Sequence, residues 1–142
     1  MTSGTYDDQN PFAKILRGEL PCHKIYEDEK TLCFMDIMPM TDGHALVVPK
    51  APSRNMLDMD PADLAAVMAT AQKIARAQMK AFEADGIMVM QFNEPASGQT
   101  VFHTHVHLLP RREGVKMRRH TGEMADPAML ADMAEKLKAA LD

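Results

Sequence analysis

The 142-residue sequence contains no tryptophan and only two cysteines, Cys22 and Cys33, which do not form a CxxC pair. Two cysteines at this spacing suit free thiols in a reducing compartment, with a single disulfide as the alternative. No window approaches the ~18 apolar residues of a membrane span, and the polar, acidic N-terminus lacks the regions of a signal peptide. These absences predict a cytoplasmic protein that does not insert into a membrane.

Positive charge is also scarce, because 16 Lys and Arg residues face 20 Asp and Glu residues, for a net charge of −4. This balance argues against a general binder of nucleic acid or of anionic membranes. An anionic ligand would have to be held by local donors. Hydrophobic residues make up 46% of the chain, enough for the core of one ordinary domain.

The order of apolar and polar residues predicts a disordered tail over residues 1–9 and a single domain over residues 10–142. We expect a short helix capped by Asn10, a long helix that starts at Asp58 or Asp60 and ends before Gly86, and a C-terminal helix. Five strands are expected, at both ends of residues 23–37 and over residues 44–50, 87–93 and 100–110. The fold class is therefore α+β, a mainly antiparallel five-stranded sheet with separate helices.

Three of the six histidines, His103, His105 and His107, alternate with Thr104 and Val106 in the segment GQTVFHTHVHLLPRR. Side chains alternate between the two faces of a strand. If Thr100–Pro110 is one strand, the three imidazoles share one face, about 7 Å apart in neighbouring pairs. The opposite face is more apolar, so we expect the imidazoles to point away from the core.

Three interpretations of these histidines compete. They could be ordinary surface side chains, or His-x-His could hold Zn²⁺, although no further ligand stands at a familiar spacing. They could instead perform nucleophilic and acid–base chemistry on phosphorus, since neutral imidazole is a nucleophile near pH 7. The preceding segment NEPASGQT favours this third interpretation, because Asn93, Gln99 and Thr100 offer neutral donors for phosphate oxygens or a leaving group.

The segment HTHVHLL resembles the signature of the histidine triad (HIT) family, His-φ-His-φ-His-φ-φ with φ apolar, and only Thr104 departs from it. The segments NPFAKILRGELPCHKIYEDE, FMDIMPMTDGHALVVPK and QFNEPASGQTVFH are also similar to the family. The resemblance covers a motif-bearing core over residues 10–112 and is greatest to bacterial Hint-like members. The tryptophan-containing C-terminus of the Hint branch is absent here.

The resemblance implies a HIT-like fold, a homodimer joined through the long helix and a sheet edge, and transfer of a nucleoside monophosphate to water. His105 would be the nucleophile, His107 would donate to the α-phosphate oxygens, and His103 and His44 would form the network that orients His105. Thr100 would lie near the leaving group. The nucleotide would be bound by Asn93 and Gln99 at phosphate or ribose, Asp36 at ribose, and Phe12, Ile15 and Ile37 around the purine.

Zinc and substrate are the remaining expectations. Some bacterial HIT proteins carry a structural zinc held by a CxxC and a later His, but here Asn10, Ala13 and Pro52 occupy those positions, so we expect no metal and no cofactor. The partners implied are purine nucleoside monophosphate derivatives, with phosphoramidates of AMP as the leading substrates. The alternatives are a dinucleoside polyphosphate hydrolase and a purine-nucleotide-binding protein with little catalysis.

Overall fold

The computed structural model describes residues 5–119 and 124–141 and has the predicted α+β architecture. Within these residues three α-helices accompany one sheet. The helices are α1 (Pro11–Leu16), α2 (Pro61–Ala81) and α3 (Pro127–Ala140), and the strands are β1 (Lys24–Glu27), β2 (Thr31–Met35), β3 (Ala45–Pro49), β4 (Gly86–Met90) and β5 (Val106–Arg111). Among the described helices, none is both long and apolar enough to cross a bilayer.

All neighbouring strands are antiparallel, in the order β1-β2-β3-β5-β4. The last strand in sequence is therefore inserted between β3 and β4. In the register of these pairs, His107 of β5 lies opposite Leu46 on one side and Met90 on the other. The third triad histidine consequently stands in the middle of the sheet.

One face of the sheet packs against α2 and α3. Val47, Val106 and Leu108 lie on this face and form one fully buried cluster with Ile74 of α2 and Leu137 of α3. Complete burial of a side chain of this size contributes roughly 1.5–3 kcal/mol. This cluster is the main core, and it fixes β3 and β5 beside each other.

The opposite face carries a smaller apolar cluster. Leu32, Phe34, Leu46 and Val48 point to it from β2 and β3, and the first helix packs over them through Phe12, Ile15 and Leu16. Since cross-strand partners point to the same face, His107 opposite Leu46 shares this side with α1. The candidate site therefore lies on the face away from the two long helices.

Caps define the start of each α-helix. Asn10 accepts a hydrogen bond from Ala13 N–H, and Asp60 accepts one from Ala62 N–H, with a proline following each cap. The end of α2 differs from the prediction. Glu83, with φ of 48°, adopts the left-handed conformation after the helix, whereas Gly86 already begins β4.

Only about half of the predicted strand over residues 100–110 is a strand in the structure. β5 begins at Val106, so His103 and His105 precede the strand and the alternation argument does not apply to them. The reason is the loss of partners, because the pairs Val47–Val106 and Met90–His107 are the last on either side. The Thr104 N–H instead donates to the Ser53 carbonyl, and the two side-chain hydroxyls lie 2.6 Å apart. All three imidazoles are consequently buried and not on an open face.

The predicted tail over residues 1–9 also differs in part from the structure. Residues 1–4 lie outside the described part of the chain, but residues 5–9 are described, and the Tyr6 hydroxyl lies 2.7 Å from Nδ1 of His103. A stretch assigned to a disordered tail thus packs against the domain.

Candidate functional site

The candidate site is a row of aromatic rings on the α1 side of the sheet. The ring centroids of His105 and His107 are 5.0 Å apart. Phe12 of α1 meets His105 edge to face at 4.9 Å, and Phe92 meets His107 at 5.6 Å. His105 and His107 are each less than a tenth exposed, so a ligand that reaches them leaves most of its water behind.

The hydrogen-bond network assigns the protons of His44 and His107. The backbone N–H of Met40 donates to Nδ1 of His44, which makes that nitrogen an acceptor and places the proton of the neutral ring on Nε2. Nε2 of His44 lies 2.9 Å from Nδ1 of His107 and donates to it. The proton of His107 is therefore on its other nitrogen, Nε2, so this ring presents a donor.

Asp36 completes this line of groups. One carboxylate oxygen, Oδ1, accepts from the Met38 N–H, and Oδ2 lies 3.5 Å from Nε2 of His44. Asp36 is almost fully buried, and its carboxylate stabilises a positive charge that develops on the two imidazoles. The contact with His44 is therefore additional to the ribose binding that the resemblance implies for Asp36.

His105 has the complementary proton arrangement. Its Nδ1 lies 2.7 Å from the backbone carbonyl oxygen of His103, and a carbonyl only accepts, so Nδ1 carries the proton. The lone pair is then on Nε2. An unprotonated ring nitrogen is the nucleophilic position of a neutral imidazole.

His103 is fully buried and supports the site without facing it. Its Nε2 donates to the carbonyl oxygen of Pro49 at 2.8 Å, so Nδ1 accepts from the Tyr6 hydroxyl. Burial is the main cause that lowers the pKa of His103 to about 4. This histidine is therefore neutral near pH 7.

The four histidines divide into two pairs in space. His44 contacts His107, and His103 orients His105 through its carbonyl oxygen. The resemblance implied that His44 and His103 together support His105; in the structure the His103 carbonyl binds His105, and His44 binds His107. An unprotonated nitrogen thus stands beside a protonated one, an arrangement that suits attack on phosphorus with a donor for its oxygens.

The loop before the triad is held by a buried polar cluster. Arg54 forms a two-pronged ion pair with Glu94, and Asn55 donates to both Glu94 Oε2 and Gln99 Oε1, at 2.7 and 3.0 Å. Glu94 has a φ of 74°, which a non-glycine residue adopts at a cost of about 1–3 kcal/mol. The cluster stabilises this loop conformation, and the sequence motifs gave no indication of Arg54 or Asn55.

Gln99 belongs to this cluster through its whole amide. Oε1 accepts from Asn55 and from the Glu94 N–H, and Nε2 donates to the carbonyls of Arg54 and Val101. These four bonds use the full capacity of a glutamine side chain. Gln99 thus shapes the loop, in contrast to the phosphate or ribose contact that the resemblance implies.

The other predicted binding residues differ in their surroundings. Asn93 binds Gln91 and the Met56 N–H through its side chain, and Thr100 is exposed at the end of the loop.

Of the predicted purine-binding residues, Phe12 touches a triad ring, Ile15 packs into the smaller cluster, and Ile37 is 43% exposed. Phe92 was not predicted, and its ring lies against that of His107, close enough to Gly98 that an added Cβ there would lie 3.7 Å from it.

A metal ion is a second use for part of the site. Asp36, His44 and His107 each offer a ligand atom, and these atoms all lie within 4.8 Å of one another. Carboxylate and imidazole suit Zn²⁺. The hydrogen bond from His44 to His107 competes with this use, because an ion would replace the proton between the two rings.

Comparison with known proteins gives the same family throughout. The HIT domain family model matches residues 17–114. "Adenylylsulfatase HINT3" of Arabidopsis thaliana is 37% identical over 125 residues, which are 84% of this chain and 64% of that protein. "Adenosine 5'-monophosphoramidase HNT1" of Saccharomyces cerevisiae is 35% identical over 109 residues, 77% of this chain and 66% of that protein. The chain thus spans slightly less than two thirds of these two relatives.

Solved structures match over nearly the whole chain. A HIT-like protein from Bartonella henselae, described as involved in cell-cycle regulation, is 49% identical with a TM-score of 0.93, covering 97% of this chain and 100% of that one. A zinc-bound histidine triad family protein from Mycobacterium smegmatis is 38% identical with a TM-score of 0.83, covering 93% and 92%. By sequence, by fold and by the family model, this chain belongs to the HIT domain family.

Proposed function

We propose that this protein hydrolyses nucleoside 5'-phosphoramidates of the AMP type through a covalent nucleotidyl-histidine. The observation that carries the proposal is the pair of complementary tautomers, with the lone pair of His105 on Nε2 and the proton of His107 on Nε2, in rings 5.0 Å apart. One ring attacks phosphorus and the other donates to its oxygens. The name of the yeast relative, a monophosphoramidase, supports the substrate class.

In the first step, Nε2 of His105 forms a bond to the α-phosphorus and the P–N bond to the amine breaks. The amine takes a proton from solvent as it leaves, because a neutral amine is a far better leaving group than its anion. His107 donates to the nonbridging oxygens, and the buried Asp36 stabilises the charge on the histidine pair. Thr100, exposed at the loop end, is suited to contact the leaving group.

In the second step, water adds to the same phosphorus and the bond to His105 breaks. The products are AMP and the original neutral ring, with the water proton released to solvent or to a neighbouring base. The Nδ1–H of His105 keeps its bond to the His103 carbonyl throughout, which stabilises the cationic nucleotidyl-imidazole. The ring of Phe12, which touches His105, would pack against the flat face of the purine. Ile15 and Ile37 would complete this purine site.

A phosphosulfate of adenosine is a second candidate substrate, favoured by the name of the Arabidopsis relative, an adenylylsulfatase. The same attack by His105 would release sulfate, which leaves as an anion without taking a proton. The phosphoramidate therefore needs a proton at its leaving group and the phosphosulfate does not, which distinguishes the two substrates. Dinucleoside polyphosphates form the third class for comparison.

The test is AMP release from adenosine 5'-phosphoramidate, followed in the wild type and in His105→Ala. We expect turnover by the wild type, loss of turnover in the variant, and AMP binding that changes little, because the loop and Phe12 remain. Rapid quenching of wild-type reactions should trap an acid-labile nucleotidyl-protein that His105→Ala does not form.

The matched control is His23→Ala, since His23 is a histidine before β1 and outside the ring row. It should retain wild-type turnover. Undiminished turnover in His105→Ala would refute the covalent role. AMP binding by a wild type that turns over none of the three substrate classes would instead support the nucleotide-binding alternative.

We also propose that the active form is a homodimer. β4 lies at the edge of the sheet, where Val89 is 51% exposed, and α2 packs beside it with Met79 41% exposed. An unpaired edge with apolar neighbours suits pairing with a second copy. Sedimentation should give a particle of two 15.8 kDa chains, and Val89→Lys should shift it to one chain. A wild-type particle of one chain would reject the dimer.

A further inference from the structure

Tyr6 contacts the histidine triad from outside the segments of the sequence that resemble the HIT family. Its hydroxyl lies 2.7 Å from Nδ1 of His103, and the two rings meet edge to face with centroids 5.7 Å apart. Nε2 of the same imidazole donates to the Pro49 carbonyl, so Nδ1 is an acceptor and Tyr6 is its donor. A tyrosine near the start of the chain therefore binds one side of a fully buried histidine.

The segment that carries Tyr6 is tied to the first helix. The side chain of Arg17 donates to the Asp8 carbonyl at 2.7 Å, and Asn10 donates to the Asp7 carbonyl at 2.8 Å. Two residues beyond Asn10, Phe12 touches the ring of His105. Residues 6–12 thus reach two of the three triad histidines from one continuous stretch of chain.

The backbone carbonyl of His103 determines the orientation of the His105 ring. The carbonyl oxygen of His103 accepts the Nδ1–H of His105 at 2.7 Å, and this bond both orients that ring and keeps the lone pair on Nε2. His103 lies in a segment that is not part of the sheet, so strand pairing does not fix its backbone. Its side chain is instead held between Pro49 and Tyr6.

We propose that Tyr6 is a positioning residue for the triad, which fixes His103 through its hydroxyl and, through the His103 carbonyl, aims the nucleophilic nitrogen of His105. The inference rests on the proposed function, since it assigns Tyr6 to the same site. Tyr6 touches no reacting atom in this arrangement. Its effect belongs to the chemical step, because the hydroxyl acts on the direction of attack and not on the surfaces that bind the nucleotide.

The test compares Tyr6→Phe, which keeps the ring and removes the hydroxyl, with Tyr26→Phe as the matched control. The Tyr26 hydroxyl binds Asp28 on the β1–β2 side, outside the triad. With adenosine 5'-phosphoramidate, Tyr6→Phe should lower kcat about tenfold, the size expected for one lost hydrogen bond in a buried site, with KM and AMP affinity within about twofold. Tyr26→Phe should keep the wild-type kcat.

A second readout does not depend on turnover. The ¹⁵N chemical shifts of the imidazoles report which nitrogen of each ring carries the proton. In the wild type, His103 should be protonated on Nε2, and in Tyr6→Phe the Nδ1 shift of His103 should move while that of His23 stays in place. Thermal unfolding of each variant identifies any loss that comes from instability.

The outcomes separate the two proposals. If the wild type turns over and Tyr6→Phe matches it, or if both tyrosine variants lose kcat equally, Tyr6 is not a positioning residue. Unmoved His103 shifts in Tyr6→Phe overturn the inference in the same way. If the wild type turns over no nucleotide substrate, the proposed function fails, and the ¹⁵N shifts alone decide whether Tyr6 fixes His103.

Discussion

Nε2 of His44 and Nδ1 of His107 lie 2.9 Å apart, although 63 residues separate them in the sequence. His44 immediately precedes β3, and His107 lies within β5, which pairs with β3. The bond therefore depends on the sheet register. It determines that His107 presents its Nε2–H, the donor that the proposed chemistry requires.

The first prediction concerns this bond. His44→Phe removes the donor to His107, so the proton of His107 is no longer confined to Nε2. We expect kcat for adenosine 5'-phosphoramidate to fall about 10–100-fold, as for a lost hydrogen bond in a charged network, with KM changed less. Steady-state kinetics measure the effect, and His23→Phe is the control for histidine replacement elsewhere. A wild-type kcat in His44→Phe would contradict the assigned tautomers.

The second prediction concerns the buried polar cluster of Arg54, Asn55, Glu94 and Gln99. Asn55→Ala removes the donor to both Glu94 and Gln99 and leaves a partly buried carboxylate and a buried amide oxygen less satisfied. We expect unfolding in urea to show a loss of about 3 kcal/mol. Asn10→Ala, which removes a helix cap and an exposed hydrogen bond to the Asp7 carbonyl, should cost about 1 kcal/mol. Equal losses in the two variants would contradict a special role for the cluster.

The third prediction follows from the pKa of His103, which burial lowers to about 4, below the ~6.5 of an unfolded histidine. Between these values the unfolded chain binds more protons, so this group makes the free energy of unfolding fall as the pH falls from about 6.5 to 4. Above about pH 6.5 the histidine is neutral in both states and none of this stability is lost. The full loss, reached below about pH 4, amounts to about 3 kcal/mol.

Denaturant unfolding of the wild type and of His103→Gln over pH 4–8 measures this contribution. The variant should be less stable near pH 7, and the difference between the two proteins should shrink as the pH falls through the window. Above pH 7 the difference should stay constant. Parallel curves over the whole range would show that His103 is not held in its neutral form by burial.

The fourth prediction concerns metal. We expect turnover to persist in excess EDTA, because the proposed steps use only imidazole and carboxylate groups of this chain. Added Zn²⁺ should inhibit, since an ion held by Asp36, His44 and His107 displaces the proton between the two rings. Asp36→Asn should weaken that inhibition. Loss of turnover in EDTA, restored by Zn²⁺, would identify the cluster as a metal centre.

Much of the fold was predictable because its signals are local. The caps at Asn10 and Asp60 with their following prolines set the starts of two helices, and short, mainly apolar runs identified β2 and β3. The α+β class and the HIT family are confirmed. The end of α2 was less predictable, because a non-glycine residue, Glu83, adopts the left-handed conformation there.

The site was predictable as a set of residues and less so as an arrangement. Alternation of His103, His105 and His107 predicted one strand, but pairing stops at Val106, because β4 ends at Met90 and the last residues of β3 pair only with β2. Tyr6 and Asn55 carry no motif, since a lone tyrosine or asparagine is informative only through the partner it meets. Gln99 was predicted at the ligand, and its partners are instead within the loop.

The family, the order of helices and strands, and the presence of three closely spaced imidazoles follow from the amino-acid sequence, because they depend on composition, local periodicity and a short motif. The position of the proton on each imidazole depends instead on contacts that form only in the folded chain. That choice depends on the Met40 N–H, the Pro49 and His103 carbonyls and the Tyr6 hydroxyl. A neutral imidazole has two nearly equivalent tautomers, and the partner at one nitrogen fixes the state of the other.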